Sequence, residues 1–287
     1  MGTDGWLWLA GGVVLVAGLV AWLAARMRRV RARRRRLAQG FSPAEEAVLD
    51  RNFPRWRWIP GALRDSFAGI VRVLMEEKSY EPCGGLPEVT DEMRLTIAAQ
   101  AAILLIGLPD HGFFPGLRSV LVYPGAFRDP GRRRFDLELG DDRGTLYGES
   151  WESGSVVLSW DNVVAGGQGI DDGMNVVVHE FAHQLDQYNG VADGLPQLRS
   201  RDDYRRWKTV MEAHYELLQE QSADRRGREP FLDPYGATDP AEFFAVVSET
   251  FFEDPLDLEE EHPELYEVLA DYYGVDPAGW QPEEAPQ

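Results

Sequence analysis

Asn175-Val176-Val177-Val178-His179-Glu180-Phe181-Ala182-His183 is the stretch on which the reading of this 287-residue chain turns. Its apolar run leads into a buried helix. On a helix, residues four apart share a face. His179 and His183 therefore present two imidazoles to one point, with Glu180 beside them. Neutral imidazoles suit Zn²⁺, and a nearby carboxylate that does not ligate the metal can take the proton of an attacking water. The pattern predicts metal-assisted hydrolysis. The chain has five histidines, and two of them standing four apart around a glutamate is an improbable accident. The other three, His111, His214 and His262, stand in turn or polar helical contexts and read as solvated or satisfied side chains.

A catalytic zinc site needs a third protein ligand and one open position. Downstream, Asp239-Pro240-Ala241-Glu242 is followed by Phe243-Phe244-Ala245-Val246-Val247-Ser248-Glu249. Asp239 as N-cap, Pro240 at the first helical position and Glu242 two residues later form a helix start, which explains Glu242 without any metal. Glu249 lies seven residues on, close to the same helical face. It is a rival ligand, or a carboxylate holding a ligating histidine from behind. Spacing alone leaves the two open.

The rest of the chain predicts an α+β fold, mostly helical, with a small sheet before the motif helix. Ser42-Pro43-Ala44-Glu45 is a capping-box start. Leu63–Glu77, a helix opening at Thr90-Asp91-Glu92-Met93, Tyr204–Gln221, Pro240–Phe252 and Pro263–Tyr273 have helical patterning. Ser119–Tyr123 and Ser155–Trp160 read as strands, the second either as a sheet edge along which an extended peptide lies or as an interior strand. Asp129–Gly144 reads as a loop or hairpin, and Gly166-Gly167-Gln168-Gly169 as a loop before the motif.

Charge divides the chain. Residues 1–36 hold eight arginines and one acid, whereas the whole chain carries −19, so the remainder carries −26. An acidic body of this kind argues against direct nucleic-acid binding, which needs a basic face. Gly5 to Ala25 is uncharged, long enough as a helix to cross a bilayer, and has tryptophans towards both ends. The arginines follow it, so the positive-inside rule keeps them in the cytoplasm. The expectation is a single-pass anchor in a bacterial inner membrane, with the catalytic domain facing the cytoplasm. Anchor and basic run occupy 1–36, the peptidase domain 37–275 and an acidic, proline-rich tail 276–287. Cys83, the one cysteine, cannot form an internal disulfide and reads as a small apolar residue.

The run His179 to Asp186, with Asn189-Gly190 and Asp193-Gly194-Leu195-Pro196 after it, resembles the zinc peptidases related to Mlc titration factor A. Asp91–Leu104, Val122-Tyr123-Pro124 and Asp239–Phe252 match that family in order. A more distant likeness is to the catalytic domain of anthrax lethal factor, through Tyr235 followed six residues later by Glu242-Phe243-Phe244-Ala245. The resemblance implies a zincin-like (gluzincin) fold and one Zn²⁺ held by His179, His183 and Glu242. It also implies Glu180 as general base, Tyr235 as a phenol near the scissile carbonyl, and a supporting place for Glu249. It implies peptide substrates and an interaction with a transcriptional repressor. The best-known members of that group are soluble, so the anchor is a departure.

Overall fold

A computed structural model describes residues 17–24, 27, 33, 37–108, 112–125, 154–169, 174–224 and 230–280. Helix starts follow the sequence closely because they are local. Helix α1 (Pro43–Asn52) opens on a complete capping box, with Ser42 N donating to Glu45 Oε2 at 2.8 Å and Glu45 N donating back to Ser42 Oγ. Arg72, from α2 (Gly61–Glu77), clamps the same carboxylate and, as its main hydrogen-bond donor, draws the Glu45 pKa down to about 2. Between α1 and α2 runs a 3₁₀ turn, Pro54–Trp58.

Helix α3 (Asp91–Ile103), capped by Thr90, is the centre of the molecule. Every residue from Leu95 to Ile103 is buried. A helix apolar almost all round belongs in a core, and its alanines let neighbours approach closely. Its two buried polar residues are engaged: Asn52 Nδ2 donates to Thr96 Oγ1 at 3.1 Å, and Gln100 Nε2 donates to the Val163 carbonyl at 3.0 Å.

Three parallel strands, β1 (Ser79–Pro82), β2 (Ser119–Tyr123) and β3 (Ser155–Ser159), lie in that order, with Ser79 beside Ser119 and Ser119 beside Ser155. Val120, Val122, Val156 and Leu158 point into the core. Strand β1 was not expected. It is short and ends in proline, both of which suit an edge. Strand β3 is the other edge of the sheet among the described residues, and it runs directly into α4 (Trp160–Gln168).

Helix α4 corrects the expected loop at Gly166–Gly169. Gly166 and Gly167 are helical, and glycine is needed there for closeness, not for turning. A methyl group on Gly166 would stand 2.9 Å from the Met174 carbonyl oxygen, and one on Gly167 would strike the Asn52 carbonyl. The motif helix α5 (Val176–Asp186) follows. Then come α6 (Arg201–Ala223), a 3₁₀ turn (Pro234–Ala237), α7 (Pro240–Glu253), α8 (Pro255–Glu261) and α9 (Pro263–Tyr273). Helix α8 was not expected either.

The tail expected from residue 276 is docked at its start. The Tyr266 hydroxyl donates to Asp276 Oδ1 and accepts from Ala278 N at 3.0 Å, and Trp280 packs against the core. Residues 281–287 lie outside the described residues, as do His111 and the expected loop at 129–144. Among the described residues no helix is long and apolar enough to cross a membrane. Most of the expected span, 5–25, lies outside them, and 17–24 are helical.

Candidate metal centre

Asn175 starts α5. Its Oδ1 accepts from Val177 N and Val178 N, both at 3.1 Å. The helix then sets His179 and His183 side by side, ring centroids 5.0 Å apart and planes at 79°. Helix α7 packs along α5. It starts as the sequence suggests, with Asp239 Oδ1 accepting from Ala241 N at 2.9 Å and from Glu242 N at 3.0 Å, and Pro240 in the first turn. That cap fixes the Glu242 backbone. Its side chain turns to the histidines, with Oε2 3.1 Å from His179 Nε2 and 3.4 Å from His183 Nε2. The cap and the ligand readings of this segment are therefore compatible.

These groups are screened from water. His183 and Glu242 are buried, and the His179 side chain is 12% exposed. Burial would raise the Glu242 pKa, but hydrogen bonds from the two histidines outweigh it and hold the carboxyl well below its usual range. Burial pushes His183 down, towards the neutral imidazole that a metal requires. Burial also disfavours charge on His179, yet Glu242 and Glu249 together raise its pKa well above the ordinary value. Carboxylates at both ring nitrogens thus favour the charged form of His179. Donors on a tetrahedral zinc ion, at about 2.0–2.2 Å from it, stand about 3.4 Å apart. The donor atoms of His179, His183 and Glu242 all lie within 4.8 Å of one another, and no other such group of three converges among the described residues. The side chains present fit a zinc ion.

Glu249 stands behind His179, not beside it. Its Oε2 is 3.2 Å from His179 Nδ1, and its Oε1 accepts from Asn175 N. The two carboxylates left as rivals by spacing thus face different ring nitrogens of His179, Glu242 facing Nε2 and Glu249 facing Nδ1. Glu180 is buried on α5 next to His179. Tyr235 lies in the 3₁₀ turn before α7, its ring centroid 6.0 Å from that of His179. Asp233 Oδ1 shapes that turn by accepting Tyr235 N at 2.8 Å. The structure thus brings His179, Glu180, His183, Tyr235, Glu242 and Glu249, the six residues singled out in the sequence, into one region.

Residues 27–274 match the family described as glucose-regulated metallo-peptidase M90. This chain belongs to the M90 family. An uncharacterised protein of Synechocystis, slr2042, is 34% identical over 271 residues, 94% of this chain and 95% of that one. Mlc titration factor A of Pectobacterium atrosepticum is 36% identical over 199 residues, covering 66% of this chain and 71% of that protein. The titration factor of Serratia proteamaculans is 35% identical over 214 residues, 71% and 77% of the two chains.

Three groups around the site of this M90 chain were not assigned to it from the sequence. Asn175 offered only its place ahead of the apolar run. Glu253 is buried, accepts from Asn175 Nδ2 at 2.9 Å and lies 3.1 Å from Arg55 Nη1. Burial pushes its pKa up to about 7. Asp186, at the end of α5, turns away from the histidines. Its Oδ2 accepts from Gly194 N at 2.9 Å, and burial pushes its pKa up to about 7 as well.

Proposed function

We propose that this chain is a zinc metallopeptidase of the HExxH type, with a zincin-like fold, that hydrolyses peptide bonds. One observation carries the reading: His179 Nε2 and His183 Nε2 converge on the Glu242 carboxylate from two helices packed together. His179, His183 and Glu242 would hold the ion. Zinc bound there supplies Lewis acidity, polarising a carbonyl and making water a usable nucleophile near neutral pH. Glu180 takes the proton of the attacking water and returns it to the leaving amine. Tyr235 donates a hydrogen bond to the oxygen on which negative charge develops. The edge of β3 offers an extended peptide a strand to pair with. The anchor at residues 5–25 tethers the enzyme to the inner membrane, with this site on the cytoplasmic side.

A second reading is favoured by the name of the relatives, Mlc titration factor A. It is a regulatory protein that sequesters a transcriptional repressor, with hydrolysis secondary. The retained glutamate between the histidines supports the enzyme, because a purely structural metal site has no use for a base.

The test uses the full chain in detergent, with bound zinc measured and a peptide library assayed for wild type and Glu180→Gln. The expected result is zinc retained and hydrolysis lowered by about 10²–10⁴-fold. Equal hydrolysis by both proteins would remove Glu180 from the mechanism. A wild-type chain without zinc after reconstitution would remove the site.

A further inference from the structure

We infer that Glu253 is a positioning residue for the metal centre, acting through Asn175 on both the start of the motif helix and the carboxylate that holds His179. The inference rests on the zinc reading above and extends it beyond the ligands.

The pattern on α7 points there first. Glu242, Glu249 and Glu253 are spaced by seven and four residues, so they lie on one face of the helix. Along that face they meet α5 in reverse order. Glu242 meets His183 and His179, Glu249 meets His179 and Asn175, and Glu253 meets Asn175. The two helices therefore run antiparallel with a row of three carboxylates between them.

Asn175 is the far end of that row, and all four of its polar groups are used. Its Oδ1 accepts Val177 N and Val178 N, and its carbonyl accepts His179 N at 3.0 Å. Its backbone N donates to Glu249, and its Nδ2 donates to Glu253 Oε1. The two ends of a side-chain amide are nearly the same shape but opposite in hydrogen-bonding sense. The amide Nδ2 can only donate, so the Glu253 oxygen that faces it is the acceptor. By taking Nδ2, Glu253 turns Oδ1 towards the helix N–H groups. The Val177 and Val178 N–H groups call for the amide oxygen on their side, and Glu253 supplies the acceptor that the Nδ2 on the other side needs, so both ends of the amide are held.

Stability alone does not explain Glu253. A buried ion pair such as Arg55–Glu253 is weak evidence for stability as a pair, since apolar replacement of both partners is often neutral, although removing one partner strands the other. Arg55 also has other work at this end of α7, donating to the carbonyls of Phe252 and Glu253. What the Glu253 carboxylate adds is an acceptor fixed at one place, next to the cap of the helix that carries both histidines.

The experiment measures zinc affinity by chelator competition, and zinc-free thermal stability, on the full-length protein. Glu253→Leu should weaken zinc binding by about 10–100-fold, as loss of an outer partner does in other zinc sites, and it should also lower the zinc-free Tm because it strands Arg55; zinc affinity measured below that Tm, on folded protein, is the readout. Glu253→Gln, which keeps an oxygen able to accept from Asn175, should stay within about threefold of wild type. Asn175→Ser keeps a capping oxygen but loses the amide bridge, and should match Glu253→Leu. Wild-type affinity in a folded Glu253→Leu protein would overturn the inference. If that variant does not fold, wild-type affinity in Asn175→Ser would do so. Zinc bound by wild type and unmoved by these substitutions would sink this inference alone. A wild type that binds no zinc would sink the zinc reading and this with it.

Discussion

The molecule holds two histidine pairs of nearly the same shape. His179 and His183 have ring centroids 5.0 Å apart and planes at 79°, and His214 and His262 are 5.3 Å apart at 75°. Their surroundings differ. The first pair faces Glu242 and is backed by Glu249. In the second, His214 Nδ1 donates to the Val210 carbonyl at 2.9 Å, and His262 lies against the Phe231 ring. No carboxylate completes a three-donor group there among the described residues. Two imidazoles at this separation are common to both places. What marks the first as the candidate centre is the acids that converge on it.

The largest test of that contrast exchanges the pairs. His183→Ala should abolish stoichiometric zinc, whereas His214→Ala should leave one ion per chain, both read by metal analysis after dialysis. A second equivalent in wild type that disappears only with His214→Ala would break the comparison. A middling effect is expected behind the first pair. Glu249→Leu should weaken zinc by about 10–100-fold while leaving one ion per chain at saturation. Unchanged affinity would mean that the backing carboxylate is dispensable.

The smallest effect concerns the second pair and pH. Burial lowers the His262 pKa, the charge of His214 lowers it further, and Glu261 opposes both. The folded chain therefore binds fewer protons at His262 than the unfolded chain, whose value is about 6.5. Its contribution to stability is present above about pH 6.5 and is lost as the pH falls below that value. His262→Gln should flatten the dependence of Tm on pH in that window. An unchanged slope would assign the dependence to other groups.

Much of this was legible in the sequence where the cause is local. Ser42, Thr90 and Asp239 cap helices within three residues of themselves, and the spacing of His179 and His183 fixes a shared face. Glu242 was ambiguous because a cap and a ligand ask for the same residue at the same place, and resemblance was needed to choose. Gly166 and Gly167 were misread because their reason lies in Asn175 and Asn52, which approach them only in the folded chain. The roles of Glu249 and Glu253 rest on partners 74 and 78 positions away at Asn175. No periodicity within a short window contains that information.

The link between Asp186 and Gly194 has a further consequence. Gly194 is held by Asp186 at the end of one site helix, and its backbone lies so close to the Pro240 carbonyl that no side chain fits there. The chain leaves the first site helix and rejoins the second at one spot, so α6 and its flanks form an excursion pinched shut at its base. The entropy of closing such a loop grows only as the logarithm of its length. The inner face of α6, with Trp207, Met211 and Leu218, is fixed against the core, whereas its outer face can be exchanged without touching the candidate centre.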